Sequence, residues 1–144
     1  MKPLFKQIRR LSYPNKWLFL KGLFLAVFLR VCFKISNFKK TLAFFSRFKT
    51  GKTVSQNESN EVRRYHHLIT LTYGFGPSVV NCLSVSTAYW WLMKRRGIAT
   101  DLKFGMKKDN EKLLAHAWLE YNGEPLTADA EVEKKYIAFG ESIL

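Results

Sequence analysis

Two cysteines and three histidines are the side chains of this 144-residue sequence best suited to nucleophilic chemistry. A thiolate attacks carbonyl carbon well, but it needs a nearby base, and the base needs a third group to fix its tautomer. Cys82 lies at the start of a long apolar run, just after a turn-rich stretch. His116 lies in Ala115-His116-Ala117-Trp118, where small neighbours leave room for a second element to approach the imidazole. Asp129 follows the dipeptide Asn122-Gly123 by a few residues, so a returning chain can set its carboxylate beside His116, with Glu131 as the fallback. His66 and His67 are competing bases, but they adjoin Arg63 and Arg64 on a helical stretch, which favours a solvated or packing role. Cys32 sits in an apolar run without a polar partner and reads as core packing. Neither C-x-x-C nor Cys/His ligand spacing occurs, which argues against structural zinc and a disulfide framework, and no cofactor is expected. Each residue also has a plainer reading: a free cysteine commonly fills space, and a strand histidine is often satisfied by a carbonyl.

The elements that must position these groups are legible around them. Val62, Tyr65, Ile69 and Tyr73 recur at helical spacing and predict a helix over 61–73, broken by Gly74-Phe75-Gly76-Pro77. A second helix starts after a Ser78 or Asn81 cap and stops at Gly97, behind Lys94-Arg95-Arg96. Cys82 then falls in the first turn, at the positive end of the helix dipole, with Val85, Tyr89, Leu92 and Met93 on its stripe. Alternation of Leu102, Phe104 and Met106 predicts a strand over 101–107. A second strand covers 113–121 and puts Leu114, His116, Trp118 and Glu120 on one face. Asn122-Gly123 signals a tight turn, with a returning extended segment from Leu126. A cysteine-bearing helix with antiparallel strands makes the second half α+β.

Helix with Cys, strand with His, then an acid after a turn is the order of the transglutaminase-like, papain-like cysteine proteases. More closely, Cys82-Leu83-Ser84-Val85-Ser86-Thr87-Ala88-Tyr89-Trp90-Trp91-Leu92-Met93-Lys94-Arg95-Arg96-Gly97-Ile98 with His116-Ala117-Trp118-Leu119-Glu120-Tyr121-Asn122-Gly123 resembles the leader peptidase of lasso-peptide biosynthesis. The match covers roughly residues 75–139; the N-terminal region is similar in composition and length only. The resemblance implies a stand-alone hydrolase that removes the leader of a ribosomally made precursor peptide, with Cys82 as nucleophile, His116 as base and Asp129 as the acid. It further implies a separate PqqD-like leader-recognition protein and a macrolactam cyclase as partners. Where the family tends to carry a basic residue this chain has Val85, which bears on substrate selection.

Composition sets the remaining bounds. At 47% hydrophobic and 24% charged residues the chain can bury a core, so disordered and low-complexity classes are excluded. Residues 1–50 hold twelve Lys/Arg and no Asp or Glu, leaving twelve Lys/Arg against eleven acids beyond them, so +12 of the +13 net charge lies in the first third. The expected organisation is a basic, apolar-rich helical region over 1–50 that packs on the core, a polar connector over 51–60, and a catalytic core over 61–144. Lys21 and Arg30 interrupt the apolar run of residues 17–33, which argues against a membrane span and for one or two helices with apolar faces inward and cations snorkelling outward. Two cysteines without a pairing pattern fit a reducing, cytoplasmic setting. Nucleic acid is not expected as a partner, while peripheral membrane contact through the basic region is. Two rivals to the peptidase stand: an acyl-transferring transglutaminase-like enzyme, and a non-catalytic basic adaptor for a membrane surface or nucleic acid.

Overall fold

A computed structural model describes residues 3–47, 57–126 and, as backbone, 137–138. Its elements are α1 (Leu4–Arg9), α2 (Tyr13–Ile35), α3 (Phe38–Ser46), α4 (Glu58–Tyr73), α5 (Cys82–Arg95), β1 (Asp101–Asp109), β2 (Lys112–Tyr121), β3 (Glu124–Pro125) and β4 (Ile137–Ala138). The strands form one antiparallel sheet in the order β3-β2-β1-β4, and with the helices packed against it the fold is α+β.

The central element is α5. Ser84 to Trp90 are buried without interruption, as is Met93, so this helix is enclosed on all sides rather than along one stripe. Leu92, placed on the inward stripe by periodicity, is only half-buried. Both ends are defined by local chemistry. Asn81 is the N-cap: its side chain accepts from the Ser84 amide at 2.8 Å while the Ser84 hydroxyl accepts from the Asn81 amide at 3.2 Å, a reciprocal capping box. At the other end Gly97 takes φ +79°, and the Ile98 and Gly97 amides return to Met93 and Lys94, each at 3.0 Å. This is the Schellman closure that a residue free of Cβ makes easy.

α2 lies against α5 at a close approach that only glycine allows. A Cβ on Gly22 would sit 2.4 Å from the Tyr89 hydroxyl oxygen. That hydroxyl is buried and shares a 2.8 Å hydrogen bond with Thr72 of α4, so the polar contact links α4 to α5 at the point where Gly22 brings α2 against them. Burial pushes the Tyr89 phenol far above its ordinary value of 10.0, despite the Thr72 hydrogen bond, and keeps it neutral. Leu18, Phe19, Ala26 and Leu29 are the inward residues of α2. The opposite face differs from the sequence expectation: it carries Trp17, Leu20, Phe24 and Phe28 rather than cations alone. Phe38 at the start of α3 meets Phe104 of β1 edge-on at 5.4 Å, and Phe45 meets Trp91 at 5.7 Å.

α4 starts at Glu58, inside the stretch expected to be a polar connector. Glu58 and Glu61 lie in its first turn, where carboxylates complement the positive end of the dipole. The Tyr121 hydroxyl donates to Glu58 at 2.8 Å and fastens the sheet to this helix. β1 runs to Asp109, two residues past the expected end, and joins β2 through Asn110 and Glu111, both at positive φ. Asn122 and Gly123 form a second two-residue turn of the same left-handed kind. The chain then returns as β3, and the Leu126 amide donates to Leu119 at 2.8 Å.

Candidate active site

Cys82 occupies the first helical position of α5, immediately after its Asn81 cap, and is half-buried. His116 lies mid-strand on β2, opposite Gly105 of β1, and is also half-buried. The tertiary fold brings them together across 34 residues of sequence, and the Cys82 thiol forms a hydrogen bond with the His116 side chain.

The junction is built along the side of β2 facing α5. The Ser86 hydroxyl, one helical turn beyond Cys82, donates to the Ala117 carbonyl at 3.1 Å, while the Ala117 amide meets the Cys82 sulfur. The two backbone groups of Ala117 therefore fix the helix start to the residue beside His116. Tyr73, the last residue of α4, brings its hydroxyl to 3.5 Å from the Cys82 carbonyl and 3.4 Å from the Ser86 hydroxyl. Of the two small neighbours of His116, Ala117 is buried and Ala115 is exposed.

Electrostatics at the sulfur follow from that geometry. Burial pushes the Cys82 thiol up, since a thiolate loses solvation there, but the opposing influences win. In order, the His116 hydrogen bond, the Ala117 amide, the imidazole charge and the Leu83 amide favour the anion, and the thiol falls below its ordinary value of 9.0. The helix dipole acts in the same direction.

His116 is supported from its own strand. Its ring stacks on that of Trp118, with centroids 5.9 Å apart and planes 17° from parallel. The buried Trp118 indole donates to Glu120 at 2.9 Å. The three residues alternate along one face of β2, so the period of two that located His116 also locates its neighbours. Their mutual support, and the roles of Ser86 and Tyr73, were not read from the sequence. Ser86 was detectable as the residue four beyond Cys82 on the same helix face, whereas Tyr73 carried no such signal.

Among the other candidates, Cys32 is half-buried on α2, His66 is half-buried and His67 exposed on α4. Asp129 and Glu131 lie outside the described residues. Val85 is fully buried, so its side chain packs in the core. No group of three or more potential metal ligands occurs among the described residues.

A thiol of lowered pKa at a helix start, hydrogen-bonded to an imidazole on an adjoining strand, can open an acyl compound and hold it as a thioester. The profile of the transglutaminase-like superfamily matches residues 26–139. No curated protein and no solved structure shows a significant match to the chain.

Proposed function

Because the chain belongs to the transglutaminase-like superfamily, we propose that it is a cysteine endopeptidase that removes the leader from a ribosomally synthesised lasso-peptide precursor. The observation that carries the chemistry is the hydrogen bond between Cys82 and His116 at the start of α5. The narrower substrate assignment rests on the resemblance of residues 82–98 and 116–123 to lasso leader peptidases.

In this reading His116 takes the thiol proton, and the sulfur of Cys82 attacks the carbonyl carbon at the leader–core junction. The oxyanion lies near the start of α5, where the first helical amides have no intrahelical carbonyl to bond. His116 returns the proton to the departing amine, which frees the core peptide and leaves the leader as a thioester on Cys82. Water, deprotonated by the same imidazole, attacks that thioester; the carbon–sulfur bond breaks and the thiol re-forms. Asp129 orients the imidazole from the segment after β3. A PqqD-like protein presents the leader, and a macrolactam cyclase consumes the released core.

The test combines the protein with a candidate precursor and recognition protein and reads the masses released. A leader fragment with a free carboxylate is expected, with near-complete loss for Cys82→Ala and His116→Ala and partial loss for Asp129→Ala. Release unaffected by Cys82→Ala overturns the reading. A primary amine added to the reaction separates hydrolysis from acyl transfer, since a transglutaminase would place it on the acyl carbon.

A further inference from the structure

We propose that the outward face of α2 docks this protein on an anionic membrane, and that a cationic cavity beside that face receives a lipid phosphate. The face is apolar along its whole length. Tyr13, Trp17, Leu20, Phe24, Phe28 and Ile35 are 84%, 58%, 54%, 74%, 48% and 83% exposed, and Val27 and Val31 fill the gaps between them. At 100° per residue these positions form one stripe roughly 100° wide and about 33 Å long. Their combined exposed area is on the order of 1,000 Å², above the 300–600 Å² of the largest apolar patch on a typical monomer.

Charge frames this stripe instead of interrupting it. Lys21 lies on one margin and Lys16 and Lys34 on the other, and residues 1–50 contain no acid to offset them. The Lys21 ammonium rests 5.5 Å from the ring centre of Trp17, an aromatic suited to the headgroup level of a bilayer. An apolar ridge flanked by cations on a long helix is the pattern of a helix lying in a membrane surface. Among the described residues no helix is long and apolar enough to cross a membrane, so the ridge lies on the bilayer.

A second feature adjoins the first. A cavity of about 530 Å³ opens between α2 and the end of α5, lined by Lys21, Phe24, Tyr65, Trp91, Arg95 and Arg96 among others. Three cations converge there, and no carboxylate among the described residues lines it. The Arg95 guanidinium is stacked 5.0 Å over the Trp91 ring, which holds it at the rim. Lys21 and Phe24 belong to both the cavity and the ridge, so one ligand with a phosphate and acyl chains engages both. Nucleic acid fits less well, because the middle of the contact face is aliphatic and aromatic rather than cationic. Cys82 lies at the opposite end of α5, about 20 Å away along the helix, so docking leaves the candidate active site outside the contact.

The experiment is vesicle co-sedimentation of the full chain at about 0.15 M salt, near the ionic strength of cytoplasm. Vesicles of phosphatidylglycerol mixed with phosphatidylcholine are expected to bind at least tenfold more tightly than phosphatidylcholine alone. Phe24→Glu with Phe28→Glu should reduce binding at least tenfold on the anionic vesicles. Arg95→Gln with Arg96→Gln should reduce the preference for phosphatidylglycerol while leaving weak binding to phosphatidylcholine. Circular dichroism melting and the Cys82 alkylation rate establish that each variant is folded, and neither depends on the peptidase reading. Lack of binding to the anionic vesicles, variants that bind as the parent does, or displacement by millimolar inorganic phosphate would each overturn the proposal, the last by assigning the cavity to free phosphate.

Discussion

Replacing Gly22 by alanine separates tertiary packing from helix propensity, because the two predict opposite signs. Gly22 lies inside α2, where alanine is favoured over glycine by about 1 kcal/mol, so propensity alone predicts stabilisation. The structure predicts the reverse. The added methyl would lie 2.4 Å from the Tyr89 oxygen and 2.6 Å from its ring carbon Cζ, about 1 Å inside ordinary contact. Tyr89 has little freedom to yield: it is fully buried, its hydroxyl is bonded to Thr72, and its ring meets Tyr65 edge-on at 6.3 Å. Overpacking of this kind costs about 1–3 kcal/mol. Drawing the Tyr89 hydroxyl away from Thr72 costs about 1–3 kcal/mol more. With the propensity gain subtracted, a net loss of about 1–5 kcal/mol remains, centred near 3 kcal/mol, and that central value lowers Tm by about 10 °C in a chain of this size. Thermal and urea unfolding followed by circular dichroism measure it. Tyr89→Leu supplies the control: in that background Gly22→Ala should cost little, giving a coupling of at least about 1 kcal/mol. A Gly22→Ala protein as stable as the parent, or more so, would refute the close packing of α2 on α5.

Two further perturbations probe the candidate site. In a Cys32→Ser background, alkylation of Cys82 against pH should report a midpoint below 9.0, and His116→Ala should move it upward, since burial then acts with less opposition. A thiol depressed in the folded state adds stability above its unfolded value and loses it as pH falls through the folded one, so the native protein should gain stability as pH rises through that interval. A midpoint unmoved by His116→Ala would contradict the hydrogen bond. Asn81→Ala removes the α5 cap and should cost about 1 kcal/mol, measured by urea unfolding. Asn81→Asp should retain the cap while raising the thiol pKa, because a carboxylate beside sulfur disfavours the thiolate. Equal alkylation rates for Asn81→Asp and the parent would remove Asn81 from the electrostatics of Cys82.

The α+β class, the helix bearing Cys82, the strand bearing His116 and the Asn122-Gly123 turn were all legible in the sequence. Each depends on local chemistry: a capping side chain, a glycine at positive φ, or a period of 2 or 3.6. The hairpin at Asn110-Glu111 was not legible, because glutamate rarely adopts the left-handed conformation and only the strand pairing on either side imposes it. The extent of burial of α5 was equally hidden, since periodicity reports one inward face and cannot register α2, α4 and the sheet closing around the same helix. The apolar face of α2 left outside was hidden for the related reason that hydrophobicity alone does not say which side finds a partner.

By itself, then, the sequence determined the identity and local setting of the sulfur and the imidazole, because caps and periods act over a few residues. Only the tertiary structure decided that they meet, that Ala117 presents its amide to the sulfur, and that Tyr73 and Ser86 brace the junction. Those contacts join residues separated by up to 35 positions, in a fold where Gly22, Tyr89 and Thr72 fix how three helices pack.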